Sequence, residues 1–170
     1  TAYRRQRQMC IRDSSWMART GPDTVFISAA RRENIDALIF LGDGLRDLEL
    51  ALTKYPRLRT YAVAGNCDFG ALEPYDGLAA FDQVIVFYTH GHMYGVKYDL
   101  DTLADAAAAR GAQVALFGHT HIPLAETRGR VFLFNPGSCG RCYTGADTYG
   151  ILTLADGKVV GHEHKEVPKA

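Results

Sequence analysis

The sequence contains no apolar run that approaches the ~18 consecutive residues needed for a membrane-spanning helix. It also has no excess of either charge, because 19 Lys and Arg residues balance 19 Asp and Glu residues. A balanced chain does not favour broad nucleic-acid binding, which requires a basic surface. Cysteine is sparse, with four residues in 170, and such usage without a secretion signal predicts a reducing, cytoplasmic environment.

The length and composition are typical of a globular protein with one domain. A chain of 170 residues with 47% hydrophobic and 22% charged residues can form a hydrophobic core without disulfides or a structural metal. Cys139 and Cys142 have CxxC spacing, but zinc normally needs a second such pair or added histidines. His162 and His164 could partner them, yet they alternate along a predicted strand and are expected to be structural. We expect reduced loop thiols, with structural zinc or a redox role as less favoured alternatives.

Four short apolar runs each end in a polar loop that contains glycine. The runs cover residues 37–41, 60–64, 84–88 and 114–117, and each has the length of a buried strand. The loops that follow are Gly42-Asp43-Gly44, Gly65-Asn66-Cys67-Asp68, Thr89-His90-Gly91-His92 and Gly118-His119-Thr120-His121. In layered α/β folds such strand ends converge at one edge, where ligands bind. A carboxylate, an amide oxygen and three imidazoles would then meet, and Mn²⁺, Fe²⁺ or Zn²⁺ suits that donor set.

The rest of the pattern predicts both helices and strands. Helices are expected over about residues 24–33, 45–55 and 99–110, the last two stopped by Pro56 and Gly111. A hairpin is expected over 77–88, and further strands over 131–134, 150–154 and 159–162. Strands alternate with helices early in the chain, whereas strands dominate later. A two-layered sandwich with helices outside accommodates both halves.

The order and spacing of the four loops, followed by Asn135-Pro136-Gly137-Ser138, resemble the calcineurin-like metallophosphoesterases. Within that family the chain is most similar to the small bacterial phosphodiesterases of the YfcE type, over about residues 22–165. The resemblance implies an α/β fold of four layers, a β-sandwich of mixed sheets flanked by helices. It also implies a metal-dependent phosphodiesterase that hydrolyses a small phosphate ester by a metal-activated hydroxide.

Carried over residue by residue, the resemblance implies a centre for two divalent ions. Asp43 would bridge them, while Asn66, His90 and His119 would complete the second ion's shell and His121 would bind the first. Mn²⁺ is the expected metal, with Fe²⁺, Zn²⁺ or Ni²⁺ as alternatives. His92 is expected to orient His90 rather than to bind an ion.

Asn66, Cys67 and Asp68 are the candidate catalytic residues. Many members of the superfamily have a histidine directly after the motif asparagine, whereas this chain has Cys67, as the small bacterial subgroup does. Cys67 is expected to face the leaving group, although a thiol is a weaker acid than imidazole at neutral pH. Asp68 is expected to orient its loop by hydrogen bonding. No persuasive Ser-His-Asp arrangement exists, and a two-metal hydrolase does not need one.

The family's opening motif, Asp-x-His-Gly, is absent from the sequence. Asp13 stands in a plausible position, but Ser15 replaces the histidine and no apolar strand precedes it; aligning residues 17–21 instead removes both ligands. Residues 1–20 hold five arginines and one aspartate, a net charge of +4, without useful periodicity. We expect residues 1–20 to be foreign or disordered, from a truncated gene, an assembly error or cloning. Residues 21–170 are then one metallophosphoesterase domain.

Two hypotheses about function follow from the missing motif. The first is a hydrolase that is impaired in this chain and binds about one ion tightly, because the first ion would keep only His121 and a share of Asp43. The alternative is a catalytically inactive scaffold or binding module, since the same fold occurs in the retromer scaffold subunit. The expected partner is a small phosphate-ester substrate. Neither nucleic acid nor a membrane is expected, and an oligomer is left open.

Overall fold

The computed structural model describes residues 7–12, 35–140 and 145–167. Among them, no helix combines the length and apolar character that a bilayer crossing needs. The described elements, in chain order, are β1 Arg7–Arg12, β2 Ala37–Phe40, α1 Leu45–Lys54, β3 Thr60–Ala62, β4 Asp76–Phe81, β5 Val84–Thr89, a 3₁₀ helix His92–Tyr94, α2 Asp101–Ala109, β6 Val114–Phe117, β7 Leu124–Arg128, β8 Val131–Asn135, β9 Thr148–Ala155 and β10 Lys158–Glu166.

The strands form two mixed five-stranded sheets, in the orders β10-β9-β1-β2-β3 and β4-β5-β6-β8-β7. In the first sheet β1, β2 and β3 are parallel. In the second sheet β5, β6 and β8 are parallel. The remaining neighbours pair antiparallel. The carboxyl ends of β2 and β3 therefore lie at one edge of the first sheet, and those of β5, β6 and β8 lie at one edge of the second.

The central strands are buried on both faces, which creates four layers. Ile39 of β2 and Leu116 of β6 lie in the cluster between the sheets. Leu38, the neighbour of Ile39, faces a second cluster that includes Leu48 of α1. Phe117, the neighbour of Leu116, packs in a third cluster that includes residues of α2. The order α1, sheet, sheet, α2 confirms the predicted four-layered α/β sandwich.

The two described helices begin and end close to where the sequence predicted. Leu45, Leu48 and Ala51 of α1 are buried, at a spacing that places them on one face of the helix. Helix α1 ends at Lys54, two residues before Pro56. Helix α2 ends at Ala109, and Gly111 follows with a φ of 73°. The predicted hairpin is β4–β5, whose turn residues Asp82 and Gln83 have φ values of 46° and 68°.

Residues 7–12 form a strand that the sequence did not predict. β1 is parallel to β2, with Arg12 opposite Phe40, and antiparallel to β9. The sequence of this segment shows no useful strand periodicity, yet residues 7–12 pair on both sides. Only Met9, Cys10 and Ile11 are apolar in β1, so the strand follows from the backbone pairing that its neighbours offer rather than from its pattern. The foreign origin of residues 1–20 stays a prediction. The helix predicted at 24–33 lies outside the described residues.

We expect Leu116→Ala to lower the free energy of unfolding by about 2–5 kcal/mol, because Leu116 is fully buried between the sheets. Leu78→Ala on β4 is the matched control, since Leu78 is 50% exposed, and it should cost less than about 1 kcal/mol. Urea denaturation of the three proteins measures the difference. Equal losses for the two variants would contradict the layered core.

Candidate metal centre

Four of the five predicted metal ligands meet at the adjoining strand ends. The Nε2 atom of His90, after β5, lies 3.0 Å from Asn66 Oδ1, in the loop after β3. The same Nε2 lies 3.1 Å from His119 Nδ1, after β6. It also lies 3.5 Å from Asp43 Oδ2, in the loop after β2. Loops from both sheets therefore bring one carboxylate, one amide and a second imidazole around a single nitrogen of His90.

The protonation of His90 is set by a backbone contact. Its Nδ1 donates to the carbonyl oxygen of Leu41 at 2.6 Å, so the neutral ring carries its proton on Nδ1 and presents a lone pair at Nε2. Asn66 Oδ1 and Asp43 Oδ2 also present only lone pairs. Acceptors that face one another repel unless a proton or a cation lies between them. The arrangement therefore suits a cation, and it is the observation on which the metal assignment rests.

Burial keeps the imidazoles in the neutral form that binds metals. His90 is fully buried, and this burial lowers its pKa despite the opposing effect of Asp43. Burial, followed by the nearby His90, lowers the pKa of His119 to about 4. Asp43 is only 4% exposed and supplies the negative charge of the group. A divalent ion would be attracted by that carboxylate without competing with protons at neutral pH.

The backbone near these ligands is strained and closely packed. Asp43, His119 and His121 have φ values of 59°, 66° and 59°, a region that non-glycine residues seldom occupy and that recurs at functional sites. The loops after β2 and β3 approach so closely that a Cβ on Gly65 would lie 2.0 Å from Asp43 Oδ1. Glycine at position 65 is therefore a requirement of the site.

Asp68 connects the two loops of the first sheet. Its Oδ2 accepts hydrogen bonds from the backbone N–H of Asp43 at 2.7 Å and of Gly65 at 2.9 Å. Its Oδ1 accepts from Gly44 at 2.8 Å and Leu45 at 3.0 Å, at the start of α1. As predicted, Asp68 orients the loop by hydrogen bonding. It does so for the Asp43 loop as well, which the sequence did not indicate.

Cys67 is exposed beside the four donors. Its backbone N–H donates to Asp43 Oδ1 at 2.8 Å, and its Sγ accepts from Asn66 Nδ2 at 3.4 Å. Burial, and then the charge of Asp43, raise the pKa of the thiol. Cys67 therefore remains a neutral thiol at pH 7 and is not a thiolate nucleophile.

The other predicted residues of the region are placed as follows. His121 is buried, at 6% exposure, two residues after His119. Asp13 and residues 17–21, the two positions considered for the opening motif, lie outside the described residues. Asn135, fully buried, donates from Nδ2 to Gly118 O at 3.1 Å and Thr120 Oγ1 at 3.0 Å, and so supports the His119 loop.

His92 is closer to the centre than its motif alone indicated. Its ring centroid lies 5.2 Å from that of His90 and 6.1 Å from that of His119. Its Nδ1 is buried and has no hydrogen-bond partner in the described part of the chain. Burial lowers its pKa. The i, i+2 spacing in Thr89-His90-Gly91-His92 was the available signal for a neighbour of His90.

The predicted structural residues lie apart from these donors. His162 and His164 pack against Phe134, and His164 stacks on it with a centroid distance of 4.6 Å. His164 Nε2 also donates to Asn135 O at 2.7 Å, in agreement with the expected structural role. The Cys139 thiol donates to Thr148 O at 3.3 Å, and Cys142 lies outside the described residues.

The donor set fits a divalent ion, although the side chains contact one another directly. Within residues 7–12, 35–140 and 145–167, no three His, Cys, Asp or Glu side chains surround a common point at coordination distance. Asp43, His90 and His119 do belong to those residue types, and His90 contacts the other two side chains directly. Ligands about 2.0–2.2 Å from one ion lie about 2.8–3.6 Å from each other. The distances of 3.0, 3.1 and 3.5 Å from His90 Nε2 fall in that interval.

The family profile and the related sequences that match this chain all belong to phosphoesterases. The profile of the Calcineurin-like phosphoesterase superfamily domain matches residues 19–157. The probable metallophosphoesterase YsnB of Bacillus subtilis is 35% identical over 130 residues, which cover 75% of this chain and 74% of YsnB. The phosphodiesterase YfcE of Escherichia coli is 38% identical over 88 residues, which cover 47% of this chain and 44% of YfcE.

A solved structure has the same fold. It is a conserved uncharacterized protein, a predicted phosphoesterase, from Streptococcus pneumoniae. The TM-score is 0.78 with 22% identity, over 95% of this chain and 90% of that one. At such low identity the likeness concerns the architecture alone.

We expect Asp68→Asn to lower the free energy of unfolding by about 2–4 kcal/mol, because an amide has one acceptor oxygen and leaves buried N–H groups without partners. The matched control is Asp82→Asn in the β4–β5 turn, where a φ of 46° suits asparagine. Chemical denaturation measures both. Unchanged stability of Asp68→Asn would show that the loops do not depend on this carboxylate.

The metal-free protein should lose stability as the pH falls from 7.5 to 5. The pKa of His119 is lowered from 6.5 to about 4, mainly by burial, so the unfolded chain binds the proton first within that window. Stability therefore declines between about pH 6.5 and 4. In urea titrations at each pH, His119→Asn should reduce the decline in the free energy of unfolding. His162→Asn, at an exposed site, should leave that decline unchanged. A decline of the same size in His119→Asn would contradict this assignment.

Proposed function

Since the chain belongs to the calcineurin-like phosphoesterase superfamily, a family of metal-dependent hydrolases, we propose that it hydrolyses a small phosphate ester, with Asp43, Asn66, His90 and His119 as ligands of a divalent ion. The main support for the proposal is that the lone pairs of Asn66 Oδ1 and Asp43 Oδ2 face the lone pair of His90 Nε2. Mn²⁺ is the metal we favour, because the donors combine oxygen and imidazole nitrogen. Cysteine usage supports a cytoplasmic location.

The residues of this chain bind and orient rather than form a covalent intermediate. When bound, divalent ions polarise a phosphoryl oxygen and lower the pKa of water toward neutrality. The negative carboxylate of Asp43 would attract the cation. Asp68 fixes the position of Asp43 by accepting a hydrogen bond from the backbone N–H of Asp43. Asn66 contributes its amide oxygen beside the neutral thiol of Cys67, which faces the leaving group in our proposal. The raised pKa of Cys67 argues against nucleophilic attack by sulfur.

The activity of this chain should be weak. The ligands proposed for one ion lie within 3.5 Å of His90 Nε2, whereas the other ion depends on His121 and on a motif that the sequence lacks. We therefore propose about one tightly bound ion per chain. Elemental analysis after dialysis measures the content. Two ions per chain at full occupancy would contradict the proposal.

A catalytically inactive binding module is the second candidate. Within the described residues, no three His, Cys, Asp or Glu side chains surround a common point, and this observation favours it. The hydrolysis assay below separates the two candidates, because a scaffold requires no metal-dependent turnover.

Hydrolysis of bis-p-nitrophenyl phosphate with added Mn²⁺ is the direct test. His119→Ala should reduce turnover by more than the ~10–100-fold that the loss of a partner outside the ligand shell costs. His162→Ala, on exposed β10, is the matched histidine control and should retain turnover.

The same assay should detect a restored opening motif. In the double variant Ser15→His/Trp16→Gly, residues 13–16 read Asp-Ser-His-Gly, directly after β1. Because β1 is parallel to β2, which precedes Asp43, the variant should increase both turnover and metal content. No turnover in either the original chain or the double variant would favour the binding module.

A further inference from the structure

An apolar groove adjoins the candidate metal centre. Its volume is about 420 Å³, within the range of small-molecule sites. One wall follows the 3₁₀ helix and the other joins the end of β6 to the start of β7. The residues that line it include Val96, Lys97, Leu100, Phe117, Thr120 and Ile122.

Both walls continue from the loops that hold the proposed ligands. Thr120 lies between His119 and His121 in the chain. Val96 packs against the residue after His90, because a Cβ on Gly91 would lie 2.8 Å from Val96 Cγ2. A molecule whose phosphate reaches the centre can therefore extend into the groove.

The chemistry of the walls favours an apolar group. Val96, Leu100 and Phe117 are buried, while Ile122 is 46% exposed at the rim. The Thr120 hydroxyl already accepts from Asn135 Nδ2 at 3.0 Å and from the backbone N–H of Ile122 at 3.3 Å. The walls thus offer few groups that could recognise a polar sugar or a base edge.

Lys97 adds one positive charge to this apolar surface. It lies in a turn in which the backbone N–H of Tyr98 donates to Gly95 O at 2.8 Å. Lys97 has no ion-pair partner among the described residues. It lines the groove together with Thr120, the residue that directly follows His119 in the chain. A cation beside a metal centre does not help to bind the metal, but it does attract an anionic ester.

We infer that the groove binds the organic arm of the substrate and that Lys97 pairs with its phosphate, so that the preferred substrates are phosphate esters with an aryl or alkyl arm. The inference rests on the proposed phosphoesterase function. Lys97 acts as a positioning residue, and Ile122 determines the preference for the arm.

Two non-hydrolysable phosphonates that share a head group test the inference by binding alone. The full chain is titrated with phenylphosphonate and with methylphosphonate in the presence of Zn²⁺, and amide chemical shifts are followed by NMR. Phenylphosphonate should bind about tenfold more tightly, as expected when an aromatic ring enters an apolar groove. The shifts should concentrate on the amides of Val96, Thr120 and Ile122.

Variants separate the two parts of the inference. Ile122→Ser should remove most of the preference for phenylphosphonate, whereas Val160→Ser, also at an exposed apolar site, should not. Lys97→Met should weaken the binding of both phosphonates by a similar factor, and Lys97→Arg should restore it. Lys158→Met, at the start of β10, is the matched lysine control.

Several results would overturn the inference: equal affinity for the two phosphonates, no binding of either, or an unchanged preference in Ile122→Ser. Turnover of bis-p-nitrophenyl phosphate with any of these results would leave the proposed function standing. Selective phenylphosphonate binding, without turnover in either the original chain or the Ser15→His/Trp16→Gly variant, would instead support the groove while contradicting the proposed function.

Discussion

The close contact between the loops after β2 and β3 is the constraint on which the candidate centre depends. The carboxylate of Asp68 accepts four backbone hydrogen bonds there, from both loops and from the start of α1. Because a Cβ on Gly65 would overlap Asp43, the contact also requires glycine. Without this connection, Asp43 and Asn66 would sit on two independent loops, and their oxygens would have no fixed relation to His90.

The second sheet contributes nitrogen donors with a defined protonation state. The contact from His90 Nδ1 to Leu41 O joins the two sheets and turns the Nε2 lone pair toward the oxygens of the first sheet. The packing of the sandwich thus determines the ligand chemistry, since Leu41 lies in the core between the sheets. Burial of the imidazoles keeps them neutral, and the acceptors gathered around them are stabilised when a cation is present.

Much of this arrangement was predictable from the sequence, because the buried strands are continuous apolar runs and each ends in a glycine-containing polar loop. Ala37–Phe40 and Val114–Phe117 have that character, and they lead to Asp43 and His119. β1 was missed because its pairing arises from neighbouring backbones rather than from an apolar pattern. β7 was missed because its side chains are at most half-buried. The link from Asp68 to the Asp43 loop spans 25 residues, and no local pattern encodes such a contact.

The central claim is that Asp43, Asn66, His90 and His119 jointly bind one divalent ion. Anomalous X-ray diffraction from crystals grown with Mn²⁺ tests it most directly. The account predicts a manganese peak about 2.0–2.3 Å from Asp43 Oδ2, Asn66 Oδ1, His90 Nε2 and His119 Nδ1. A map with no peak among these four atoms, at Mn²⁺ concentrations that saturate binding in solution, would contradict it.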